Sequence, residues 1–156
     1  MFNKKEGGKM DKVEVKVVAE NGVKLPQYMT EGSAGMDVYA FIKESVKIDS
    51  LERVLIPTGI KMEIPYGYEV QVRPRSGLAL KHGITLVNSP GTIDSDYRGE
   101  IKIIMINLSK ESYEIMAEER ICQFVLQKVH RAELRECQSL EESDRSSGGF
   151  GHTGKK

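Results

Sequence analysis

The sequence predicts an all-β domain, a sandwich or barrel of short strands, and three observations carry that expectation. Apolar residues recur at every second position in run after run, prolines fall between the runs, and a single segment looks helical. Val13, Val15 and Val17 alternate with Glu14 and Lys16. Ile60, Met62 and Ile64 alternate with Lys61 and Glu63, and Tyr68, Val70 and Val72 with Glu69, Gln71 and Arg73. Such alternation turns one face of a strand to the core and the other to water. Ser76 to His82 predicts a helical turn or two. Ile101 to Leu108 and Ile121 to Val129 are further β-rich runs. Pro26, Pro57, Pro65, Pro74 and Pro90 stand where a missing N–H breaks no ladder. Short strands at regular spacing are the pattern of a sandwich or barrel. No long-period repeat or internal linker divides the 156 residues, the size of one domain.

Charge narrows the partners. Lys plus Arg is 23 and Asp plus Glu is 23, a formal net charge of zero. A nucleic-acid binder that works by counterion release carries a basic excess or stripe, and a membrane-surface protein a basic amphipathic helix. Neither pattern is present, so no nucleic-acid or membrane partner is expected, and any anionic ligand must be met by a few placed residues. Two cysteines, Cys122 and Cys137, have no metal-ligand spacing and make no disulfide framework. They read as reduced thiols of a cytoplasmic protein. Residues 1–11 are polar, lack the apolar run of a signal peptide, and read as a leader, with Met10 a candidate natural start. The β domain is expected over 12–144 and a distinct arm over 145–156.

Five stretches interrupt the alternation. Ala34-Gly35-Met36-Asp37 places a carboxylate at a strand start, where Asp is ordinarily a turn cap. Pro74-Arg75-Ser76-Gly77 ends a strand and opens the helical turn. Ser76 there is either an N-cap or part of an anion site with Arg75 and the free N–H groups. Asn88 to Glu100 reads as a hairpin whose return strand begins at Ile101, with Pro90-Gly91 and Gly99 allowing tight turns. Asp94 and Asp96 beside Tyr97 are either surface turn residues or a general base held near a water. Arg120-Ile121-Cys122-Gln123 opens a strand, and Gln123 alone reads as an outward-facing residue. Arg145 to Gly154 is glycine-rich yet carries Phe150, which a solubilising tail does not need. The arm either hangs free or wraps its N–H groups around phosphate oxygens, with Phe150 stacked on a base.

Taken together and in this order, these five stretches resemble the trimeric deoxyuridine triphosphatase (dUTPase) family along nearly the whole length after Lys12. The resemblance implies a distorted jelly-roll β-sandwich and a homotrimer with shared active sites, the arm of one chain closing over a neighbour's pocket. It implies hydrolysis of dUTP to dUMP and pyrophosphate by water attack at the α-phosphorus. That reaction keeps uracil out of DNA and supplies dUMP for thymidylate synthesis. Asp94 would activate the water, within a hydrogen-bonded, partly enclosed site. Mg²⁺ would bridge phosphate oxygens, with Asp37 acting through a coordinated water. Arg75, Ser76, Gly77 and Gln123 would hold the α- and β-phosphates. Asn88, Gly91, Thr92, Ile93 and Lys102 would present main-chain groups to uracil, and Tyr97 would sit under the deoxyribose. Phe150 would stack on the base while Arg145, Gly151, His152 and Thr153 wrap the γ-phosphate. Ser146, His152 and Cys122 depart from the commoner residues of the pattern.

Two rivals share the scaffold. A dCTP deaminase-related enzyme resembles this chain, but its hairpin carries a catalytic Glu where Arg98 stands here. A non-catalytic nucleotide-binding or signalling protein would have no need to retain Asp94 and the arm together.

Overall fold

The computed structural model describes residues 11–149, and the expected β architecture is present. In chain order the strands are β1 (Lys16–Ala19), β2 (Gln27–Tyr28), β3 (Met36–Tyr39), β4 (Val46–Ile48), β5 (Arg53–Pro57), β6 (Ile60–Glu63) and β7 (Tyr68–Pro74). Helix α1 (Ser76–His82) follows, then β8 (Ile84–Leu86), β9 (Gly91–Ile93), β10 (Lys102–Asn107), β11 (Tyr113–Ile115) and β12 (Arg120–Lys128).

Two sheets organise the domain. A five-stranded sheet runs β2-β3-β12-β7-β9 and a three-stranded one β5-β10-β8, with β1-β6 and β11-β4 as two-stranded ribbons. Alternation decides what β6, β7 and β10 bury. Val70 and Val72 of β7, Ile60 and Met62 of β6, and Ile103 and Met105 of β10 turn inward into one contiguous core. Phe124 of β12 lies at its centre with no exposed surface, a burial that contributes about 2–3 kcal/mol. Asn107 is buried too, and is satisfied by bonds to the Ile48 and Glu111 carbonyls at 3.0 and 2.7 Å. Among the described residues no helix is long and apolar enough to cross a membrane.

Three expectations are corrected. The Val13–Val17 alternation does not bury one face: β1 spans Lys16–Ala19, pairs with β6 alone, and is exposed along its length. Ser76 is the first helical residue, not the cap. Arg75 holds the extended cap position (φ −89°, ψ 127°) and no side chain caps the helix. The return strand after residues 88–100 does come back antiparallel, onto β8 just ahead of them, but β9 within that stretch does not pair with it. β9 pairs with β7 and β10 pairs with β5 and β8, so the chain crosses between sheets at residues 94–101. The last strand ends at Lys128, and residues 129–149 hold no regular element.

Candidate functional site

The predicted residues gather in two clusters. The first surrounds Asp37, whose place is set by β-sheet register. Gln123 of β12 stands opposite Asp37 of β3 on one side and opposite Arg73 of β7 on the other. Asp37 is 3% exposed, so its carboxylate must be satisfied from within. Gln123 Nε2 donates to Oδ1 at 2.8 Å, Arg120 Nη1 donates to Oδ2 at 3.0 Å, and Arg75 Nε stands 3.7 Å from Oδ2. Arg75 in turn donates from Nη1 to the Arg120 carbonyl at 2.8 Å, at a register shift between Arg120 and Cys122. Asp37 is therefore no turn cap, and Gln123 is held to it by one of its two amide hydrogens. Ser76 and Gly77 lie exposed beside this cluster at the start of α1. Gly35 allows the approach, since a Cβ there would stand 3.3 Å from Val125 and 3.4 Å from Gln123.

Arg120 is the residue sequence reasoning left without a role. Its signal was present in the Arg-x-x-Gln spacing of Arg120 and Gln123, but its partner lies 83 positions away, and only the register of β3 on β12 brings them together. Next to it Cys122 is wholly buried, and burial first and the Asp37 carboxylate second push its thiol far above the ordinary range. It is a packing residue without thiolate chemistry.

The second cluster lines a cleft of about 460 Å³ formed by Leu55, Thr92, Ile93, Asp94, Tyr97, Glu100, Ile101 and Lys102. β9 is the edge strand of its sheet, so one side of its backbone is unpaired and available to a ligand. Asn88 reaches back over the strand, its Nδ2 standing 3.0 Å from where a Cβ on Gly91 would be. Tyr97 folds over Gly99 and donates from its hydroxyl to the Glu100 carbonyl at 3.0 Å. A Cβ on Gly99 would sit 2.4 Å from that hydroxyl, so only glycine fits beneath the ring. Asp94 is exposed in the single chain.

These clusters do not meet within one chain. Val72 stands opposite Gly91 and Val70 opposite Ile93, so Asp94 lies beside the beginning of β7 and Arg75 beyond its end. From Glu69 to Arg75 an extended strand rises about 20 Å. Of the arm, Arg145 donates from Nε to the Gly148 carbonyl at 2.9 Å, and Phe150, Gly151, His152 and Thr153 lie outside the described residues.

Comparison with known proteins identifies the family. The dUTPase family model matches residues 21–154. The deoxyuridine 5'-triphosphate nucleotidohydrolase of Fusobacterium nucleatum is 63% identical over 146 residues, covering 94% of this chain and 100% of that protein. That of Finegoldia magna is 56% identical over 142 residues, covering 91% and 99%. Among solved structures, the dUTPase of Staphylococcus bacteriophage 80alpha with dUPNHPP has a TM-score of 0.80 and 26% identity, covering 90% of this chain and 98% of that one.

Proposed function

The chain belongs to the dUTPase family and hydrolyses dUTP, and from that premise we propose that each of its active sites is assembled from more than one copy of the chain. The observation that carries this reading is the separation of Asp94 from Arg75 along β7. A water-activating carboxylate must lie within hydrogen-bond reach of the water attacking the phosphorus. At about 20 Å from the phosphate-binding arginine of its own chain, Asp94 serves a nucleotide whose phosphates are held by a neighbour. A head-to-tail arrangement of this kind closes into a ring, and a homotrimer is the ring we infer.

The same reading assigns the roles. The unpaired edge of β9 at Gly91, Thr92 and Ile93, with Asn88 and the Lys102 backbone, receives uracil through main-chain groups. Cytosine in such a site leaves buried donors and acceptors unmatched, a strong basis for rejection. Tyr97 lies under the sugar and leaves no room for a 2′-hydroxyl. Arg75, Ser76, Gly77 and the second amide hydrogen of Gln123 hold the α- and β-phosphates. Asp94 takes a proton from water as its oxygen bonds to the α-phosphorus, and the bond to the bridging oxygen breaks to release pyrophosphate. To Arg145, Gly151, His152 and Thr153 this reading gives the γ-phosphate, and to Phe150 the base.

The donor set also bears on the metal. Among the described residues no three His, Cys, Asp or Glu side chains group to hold a metal ion. Asp37 is the lone carboxylate of its cluster, and both its oxygens already accept bonds. Such a donor set would not hold a bare cation by itself; Asp37 would be the residue that helps hold a Mg²⁺ carried by the triphosphate, in keeping with a metal that dehydrates reluctantly. When bound, Mg²⁺ offsets the charge growing on the leaving pyrophosphate. The two unpaired thiols, Cys122 and Cys137, support a reducing, cytoplasmic location.

Pyrophosphate release measured in parallel with dUTP, dCTP, dTTP and UTP tests the substrate assignment. Release from dUTP alone is expected, and equal release from UTP or dTTP would overturn the roles given to Tyr97 and the β9 edge.

A further inference from the structure

Glu100 is a second carboxylate in the cleft, and its surroundings are unusual for a site that takes a polyanion. Its charge is already committed. Oε1 accepts the Gly59 N–H at 3.0 Å and Oε2 stands 3.4 Å from Lys102 Nζ, with the Glu100 side chain 27% exposed. Its carbonyl accepts the Tyr97 hydroxyl. One residue thus grips the domain with its side chain and the Tyr97 ring with its backbone.

What it grips is rigid. Gly59 has φ +67°, and a Cβ there would lie 2.5 Å from Val23 and 2.8 Å from Phe41, so this turn admits only glycine. Thr58 Oγ1 donates to the Ile101 carbonyl at 2.6 Å, and the Ile101 N–H donates to the Ile60 carbonyl at 2.8 Å. Residues 100–101 are fastened to 58–60 from both sides. The loop ahead of them is stitched mostly to itself, with Arg98 Nη1 donating to the Ser95 and Tyr97 carbonyls. Glu100 is where that loop, and the ring it carries, is anchored to the core.

We infer that Glu100 is a positioning residue that fixes the height of the Tyr97 ring over the sugar and so sets the discrimination between dUTP and UTP. This rests on the reading of Tyr97 as the sugar platform. A looser anchor lets the ring retreat and admit a 2′-hydroxyl, while the phosphate-binding residues at the far end of β7 are untouched.

The test is the ratio of kcat/KM for dUTP to that for UTP in the full-length assembled enzyme. Glu100→Ala is expected to lower the ratio roughly five- to tenfold, the worth of one net hydrogen bond. Glu100→Gln keeps an acceptor for Gly59 and should hold the ratio within about twofold. Tyr97→Phe keeps the ring, loses the tether, and should lower the ratio in the same direction, which carries the test should Glu100→Ala fold poorly. A merely structural role would reduce both substrates in parallel. An unchanged ratio in Glu100→Ala and Tyr97→Phe, or equal falls in Glu100→Ala and Glu100→Gln, would overturn the inference. Tyr97→Ala separates the two levels of argument. If it leaves the ratio intact, the platform reading itself is wrong, and if it collapses the ratio, the Glu100 variants are decisive.

Discussion

Two carboxylates, Asp37 and Asp94, show how differently one residue type is used by this chain. Asp94 is exposed and carries its role through chemistry, so its substitution should spare the fold. Asp94→Asn keeps shape and removes the base. Turnover should fall by about 10²–10⁴, while calorimetry with a non-hydrolysable dUTP analogue should show binding within a few-fold of the wild type. Asp37 is buried, and its role depends on its partners. Arg120→Met leaves that carboxylate with Gln123 and the more distant Arg75. Stripping one partner from a buried charge is strongly destabilising, but the Arg120 side chain is 40% exposed, so its share of the pair is screened. A loss of about 2 kcal/mol is expected, read as a lower urea midpoint at unchanged m. Adding Asp37→Asn should recover part of that loss, because the uncompensated charge is then gone. Additive losses would mean that Arg120 stabilises by packing of its stem alone.

At the scale of elements, the helix that presents Ser76 and Gly77 depends on how it ends. The chain leaves α1 through Gly83 in the left-handed region (φ 66°), whose N–H donates to the Ala79 and Leu78 carbonyls. A Cβ there would meet the Ser109 backbone nitrogen at 2.9 Å. Gly83→Ala should therefore lower stability by about 1–2 kcal/mol, measured as a fall in melting temperature. KM for dUTP should rise more than kcat falls, since the phosphate end of the site is what loosens. This helix was legible in the sequence, as were β6 and β7, whose alternation specifies a face, and β12, a long β-rich run. Strands of two or three residues, such as β2 and β4, carry too little pattern to be read. The return of β10 onto β8 was legible as a reversal, but the excursion of β9 to the other sheet was not, for a related reason. Turn residues announce that the chain reverses, but which sheet the next strand joins is decided by packing far away. The Asp37–Arg120 pair was hidden for the same cause. Each residue type was visible, and the register that joins them was not.

For the whole molecule, the balanced charge takes on a definite meaning. Zero net charge excludes a bulk field, and under the proposed reading Arg75 and Arg145 would supply the local positive charge that meets the triphosphate. Arg75 and Asp94 stand at opposite ends of β7, so whether they act on the same nucleotide is a question about chains rather than side chains. Mixing two inactive proteins decides it. Asp94→Asn disables the water-activating end of a site and Arg75→Ala its phosphate end, each leaving the other end intact. If a site draws Asp94 from one chain and Arg75 from the next, unfolding and refolding the two variants together in equal amounts restores some sites. Random assembly pairs an intact Asp94 with an intact Arg75 in about a quarter of them. Pyrophosphate release from dUTP should then rise from near zero for either variant alone to roughly a quarter of the wild-type rate per chain. A site complete within one chain can never combine the two intact residues, because every chain in the mixture lacks one of them. Its mixed assemblies would stay as inactive as the parents, so the presence or absence of recovery separates a shared site from a private one.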